Sequence, residues 1–140
     1  MGRFGSGAIM VGVVVMMWCM LVEAKVWTVG GSKGWVAGVD YNAWLKFKTF
    51  QVDDFLVFDY SSLYSVCEVF EGDYNSCNVD HPIYSDNSGS TTFNLITPGP
   101  RYFICCDANL CKQGMKLLVN VTTKPSTNSS PTHTLSLAKG

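Results

Sequence analysis

The sequence predicts an all-β domain, a sandwich of short antiparallel strands with one short helix. Three observations predict it. Runs rich in Val, Ile, Thr, Phe, Tyr and Trp recur between Gly, Pro, Asn and Asp turn signals. Two of these runs alternate cleanly between apolar and polar residues, the period of a half-buried strand. Only one segment has helical spacing. Repeated short strands with regular turns between them are the pattern of a sandwich.

The elements follow in order. Residues 26–29 (VWTV) form a strand that ends at Gly30-Gly31. In residues 41–47, Tyr41, Trp44 and Leu45 fall at i, i+3 and i+4, and Asp40 stands where an N-cap belongs. Residues 55–60 form an apolar strand after Asp53-Asp54, and residues 65–70 form another, closed by Glu71-Gly72. Residues 91–96 alternate, with Thr91, Phe93 and Leu95 on one face and Thr92, Asn94 and Ile96 on the other. They lie between the turns Asn87-Ser88-Gly89 and Pro98-Gly99-Pro100. Residues 102–105 and 116–121 complete the set, with Leu117, Val119 and Val121 facing one way and Lys116, Leu118 and Asn120 the other. Asp53, Asp54, Asp59 and Glu68 read as turn and strand-face acids.

The chain divides into three parts. Residues 1–24 read as a secretory signal peptide: Arg3 supplies the basic start, residues 8–22 an apolar run short for a membrane span, and Val22-Glu23-Ala24 a cleavage signature ahead of Lys25. The alternative is an uncleaved anchor helix. Residues 25–122 form one domain of ordinary size. Residues 123–140 turn to Ser, Thr, Pro and Asn, a composition too polar to fold, with no apolar tail of the kind a lipid-anchor signal needs. Removing Arg3 and Glu23 from totals of 10 basic and 11 acidic residues leaves 9 and 10, a net charge of −1. Such a balance points to neither nucleic acid nor an anionic membrane surface. Losing Cys19 leaves five cysteines: Cys67, Cys77, Cys105, Cys106 and Cys111. Secreted chains oxidise paired thiols, and an odd number leaves one over.

Several motifs in order carry a family resemblance. They are VWTVGGSKGW at 26–35, YNAWLKFKTFQVDDFLVFDY at 41–60, and YFIC at 102–105 followed by Cys111 and Gly114-Met115-Lys116. Together they make the chain similar to the phytocyanins, plant cell-surface and apoplastic cupredoxins that include stellacyanins, plantacyanins, uclacyanins and early nodulin-like proteins. The resemblance implies a cupredoxin-like Greek-key β-sandwich. Where the family usually has Gly-Asp, this chain has Asp53-Asp54.

The resemblance also implies a copper position, and here the chain departs from the family. The first copper histidine belongs to a His-x-Val segment that reads Tyr64-Ser65-Val66. The thiolate ligand maps to Cys105. The second histidine, just ahead of the second disulfide cysteine, maps to Leu110, and the axial ligand to Met115. The family's disulfide maps to Cys77 and Cys111. Cys106 stands where the family usually has Gly. A blue-copper centre takes two imidazoles, one thiolate and a weak axial ligand. Leu110 offers no donor, and Tyr64 offers one only as a phenolate, with a free pKa near ~10. The expectation is therefore no copper cofactor, with Cys105 and Met115 acting as core hydrophobes. Copper is the alternative. It would need either His81 swinging in from four positions past Cys77, although Pro82 makes that a surface turn, or soft Cu(I) held by Cys105, Cys106 and Met115.

Cys67, Cys105 and Cys106 have two open readings: a second disulfide from Cys67 to Cys105 or Cys106, sealing the former metal position, or buried inert thiols. Asn120-Val121-Thr122 is a glycosylation sequon on an exposed strand face. Asn128-Ser129-Ser130 is a second, with Pro131 following, and the tail's Ser and Pro suit O-glycans.

No Ser or Cys nucleophile has a histidine base nearby, and Cys105-Cys106 is not a C-x-x-C redox motif, so no enzyme is expected. The first functional expectation is a secreted, copper-free phytocyanin-like glycoprotein of the cell surface or apoplast, acting by binding or structure on a cell-wall or surface partner. The second is a blue-copper electron carrier, which alone would imply a redox partner. The third is a thiol–disulfide module using Cys105 and Cys106.

Overall fold

The structure is a computed structural model that describes residues 23–125. Most of the signal segment and most of the tail, with Cys19, Asn128 and His133, lie outside the described residues.

Among the described residues, eight strands form two sheets. β1 (Val26–Thr28), β3 (Phe55–Asp59) and β6 (Ser90–Asn94) make a three-stranded sheet in the order β1-β3-β6. β2 (Phe50–Gln51), β4 (Val66–Val69), β5 (Tyr84–Asp86), β7 (Gly99–Ile104) and β8 (Lys116–Thr122) make a five-stranded sheet in the order β2-β8-β7-β4-β5. The expectation of purely antiparallel strands is corrected at two edges. β1 runs parallel to β3, pairing Trp27 with Leu56, and β2 runs parallel to β8, pairing Phe50 with Val121. Each parallel pair joins strands far apart in sequence, which periodicity along one segment cannot register.

Alternation on β6 and β8 places the core. Thr91 and Phe93 are buried between exposed neighbours, and Leu117, Val119 and Val121 point inward while Leu118 and Asn120 point out. These side chains meet Leu56 and Phe58 of β3 and Phe103 of β7 in one cluster with Trp35 and Tyr41. Phe58 is its hub, with ring centroids 5.0 Å from Trp35, 5.7 Å from Phe93 and 5.2 Å from Phe103. Burying one such side chain contributes about 1.5–3 kcal/mol. The opposite face of the five-stranded sheet carries a second, smaller cluster of Cys67, Val69, Cys77, Ile104 and Cys111.

Among the described residues, three short α-helices replace the single helix expected. α1 (Tyr41–Leu45) starts where predicted, with the Asp40 carboxylate accepting from the Ala43 N–H at 3.1 Å. It stops before Phe47, which sits in the left-handed region at φ 63°. α2 (Glu71–Ser76) occupies the stretch read as a closing turn, and α3 (Ala108–Lys112) lies in the loop between β7 and β8. Both are too short to show helical periodicity. Asp107 was the legible signal for α3: its Oδ1 accepts from the N–H groups of Asn109 and Leu110 at 2.9 and 3.1 Å.

Candidate functional site

The positions that the family resemblance singles out lie where three connections converge at one end of the sandwich. Tyr64 and Ser65 lead into β4, Cys105 and Cys106 leave β7, and Leu110 to Met115 run through α3 into β8. Backbone bonds set their spacing. The Cys105 N–H donates to the Met115 carbonyl at 3.0 Å, and the Met115 N–H donates to the Leu110 carbonyl at 3.0 Å. Gly114, at φ 108°, turns the chain between them, in a conformation L side chains rarely adopt.

Cys105 and Met115 are both buried, at 1% and 2% exposure, within the main core. Tyr64 and Leu110 are half-buried and pack against that same core. Ser65 ties the end together. Its carbonyl accepts from the Trp35 indole N–H at 2.9 Å, its hydroxyl accepts from the Cys106 N–H at 3.2 Å, and that oxygen lies 3.9 Å from the Cys105 thiol. Beside them the Tyr41 hydroxyl accepts from the Val36 N–H at 2.8 Å and donates to the Gly34 carbonyl at 2.9 Å. Burial pushes the Tyr41 phenol up. The Val36 bond opposes that rise, and nearby Tyr64 and Cys105 add to it.

The cysteines separate by face. Cys67 is bonded to Cys106 and Cys77 to Cys111, while Cys105 is free and buried. Successive residues of an extended chain point to opposite sides of a sheet. Cys105 therefore enters the main core, whereas Cys106 turns to the outer cluster where Cys67 lies. Two expectations are corrected here. The second disulfide does not seal the position that the resemblance maps to copper, because it lies across the sheet from Cys105. Cys106 is also unavailable beside Cys105, either as a Cu(I) ligand or as half of a dithiol.

The donors gathered at this end are one thiol and one thioether, beside a phenol and an alkyl chain. That set does not fit type 1 copper, which takes two imidazoles with its thiolate. His81 is exposed in the loop ahead of β5, and no three His, Cys, Asp or Glu side chains group as a metal site among the described residues. A cleft of about 380 Å³ lies next to this end, lined by Asp40, Tyr41, Tyr74, Gly114 and Lys116 among others. The Asn120 side chain is exposed on β8.

Two acids have sharper roles than the sequence suggested. Glu68 on β4 pairs with Arg101 on β7, with Nε 2.7 Å from Oε2 and Nη2 2.9 Å from Oε1. Asp54, read as a turn acid, is only 2% exposed and gathers three N–H donors.

Two mixed sheets packed on an aromatic core, with a Cys–Met connection closing one end, define a cupredoxin-like domain. A family model described as a plastocyanin-like domain matches residues 27–115. The chain is 46% identical over 99 residues to a blue copper protein of Pisum sativum, covering 70% of this chain and 52% of that one. It is 40% identical over 109 residues to early nodulin-like protein 3 of Arabidopsis thaliana, covering 76% and 55%. Among solved structures it resembles the cucumber basic protein, a blue copper protein, at 35% identity and a TM-score of 0.60, covering 69% of this chain and 99% of that one. The chain belongs to the phytocyanin family. It spans about half the length of the pea and Arabidopsis relatives.

Proposed function

We propose that this phytocyanin is a secreted glycoprotein of the cell surface or apoplast that carries no type 1 copper and acts by binding or structure, not by catalysis. The observation that carries the reading is the donor set around Cys105: Met115 is there, but the other two mapped positions hold Tyr64 and Leu110, whose side chains pack as hydrophobes. Without imidazole the cysteine and methionine are core residues. The signal-like residues 1–24, the disulfide pairs and the exposed sequon at Asn120 support an extracellular route. No helix among the described residues is long and apolar enough to cross a membrane. The cleft lined by Tyr41, Tyr74, Gly114 and Lys116 offers a concave surface for a ligand.

The full chain expressed in plant cells tests this reading. It should accumulate in the medium, lose mass on removal of N-glycans, and contain far less than one copper per chain by elemental analysis. Copper at one per chain would sink it in favour of the electron-carrier reading suggested by the names of the pea and cucumber relatives.

A further inference from the structure

We propose that cleavage between Ala24 and Lys25 creates a partly buried ion pair, in which the new α-ammonium of Lys25 docks on the Asp54 carboxylate and locks β1 against β3. The cleavage rests on the secretory reading above. The docking rests on geometry. Asp54 Oδ1 accepts from the backbone N–H of Lys25 at 3.1 Å, while Oδ2 accepts from the Trp27 indole at 3.1 Å and from the Gln51 N–H at 3.0 Å. The Lys25 carbonyl in turn accepts from the Phe55 N–H at 2.8 Å. Lys25 is thus held on both sides, and its nitrogen is already in contact with a buried acid.

Among the described residues, Asp54 has no bonded counter-charge. The ion pairs among the described residues are Glu68–Arg101 and Asp53–Lys124. The Lys25 side-chain ammonium lies 5.5 Å over the Trp27 ring instead of bonding to the carboxylate. Burial raises the Asp54 carboxyl, but the donors from Gln51, Trp27 and Lys25 and the Lys25 charge outweigh it and hold the group below its ordinary value. A buried carboxylate that stays ionised is costly without a partner. Glu23 and Ala24 are exposed, which leaves the peptide bond ahead of Lys25 at the surface. When a secretory endopeptidase adds water across that bond, the carboxylate leaves with Ala24 and the amine takes a proton on Lys25. In the folded mature domain the donor at the position 3.1 Å from Oδ1 is then cationic, and a charge-assisted bond stands where the uncleaved chain has a neutral one.

The pH dependence has two limits. Pairing raises the folded pKa of the α-amino group above its free value of about 7.7–8.0, so its contribution is full below that value and is lost as pH rises through the raised one. The depressed carboxyl gives the opposite limit: its contribution is present above the unfolded value near ~3.9 and is lost as pH falls through the folded one. The other charged groups near the pair are the Lys25 side chain and Asp53, which Lys124 partners. Trp27 and Gln51 are uncharged.

The test compares the chain starting at Lys25 with one that keeps Glu23-Ala24 ahead of it, so that the same nitrogen stays an amide. With 15N-lysine, the α-ammonium of the first protein should titrate about 1 unit or more above its ordinary value, and Asp54→Asn should return it there. In urea near pH 6.5 the folding constant of the Lys25-start chain should exceed that of the extended chain about tenfold, and the gap should close above about pH 9.5. An ordinary α-ammonium titration with equal folding constants overturns the pairing. If Asp54→Asn does not fold, the two chains with Asp54 intact still decide. N-terminal sequencing of the secreted protein tests the processing separately: a start at Lys25 supports it, and any other start overturns it.

Discussion

Single residues in this domain are placed by backbone geometry that their identity conceals. Asp53 sits at φ 75°, inside the left-handed region, at the position where the family usually has glycine. An L side chain is strained there, and Asp tolerates it better than most. Its pairing with Lys124, at 3.7 Å from a well-exposed carboxylate, offsets little of that strain. Asp53→Gly should therefore stabilise the domain by about 0.5–1 kcal/mol, read as a higher urea midpoint with an unchanged slope. A lower midpoint would show that the ion pair outweighs the strain. Asp54, its neighbour, is the opposite case. Nothing in its local sequence distinguishes a turn acid from the buried acceptor of Lys25, Trp27 and Gln51, because two of those donors lie far away along the chain.

Elements were legible in proportion to their length and alternation. β6 and β8 show their inward and outward residues in the sequence, and both bury the predicted face. α2 and α3 were not legible, since one turn of helix has no periodicity to detect, and β2 is only two residues long. The disulfides act at this scale. Cys67–Cys106 ties β4 to the exit of β7 over 39 residues, and Cys77–Cys111 joins the ends of α2 and α3 over 34. Loops of that size imply about 3–4 kcal/mol for each bond on the chain-entropy account. A Cys67→Ala, Cys106→Ala double variant should lose roughly 2–4 kcal/mol in urea unfolding while still giving one alkylatable thiol per mature chain, Cys105, only after denaturation. Rapid alkylation of Cys105 in the native wild-type protein would show that the core around it opens.

At the scale of the whole molecule, the family was legible because its motifs mark fold positions: the strand at β1, the Asp-capped α1, and the Cys-to-Met connection into β8. The pairing of the three remaining cysteines was not, since it depends on which face of the five-stranded sheet each side chain takes. That geometry separates the roles of two adjacent cysteines. Cys106 crosslinks the outer face, and Cys105 stays in the core with Met115, Tyr64 and Leu110 around it. Two disulfides brace the sandwich, Cys67–Cys106 and Cys77–Cys111. The proposed copper-free function rests on a core that does not make a type 1 copper centre. Titrating the purified mature protein, with both disulfides intact, with Cu(II), followed by visible absorption and electron paramagnetic resonance, tests that reading most directly. No intense thiolate-to-copper band and only broad, surface-type copper signals are expected; an intense blue band with narrow hyperfine splitting at one copper per chain would overturn the copper-free reading.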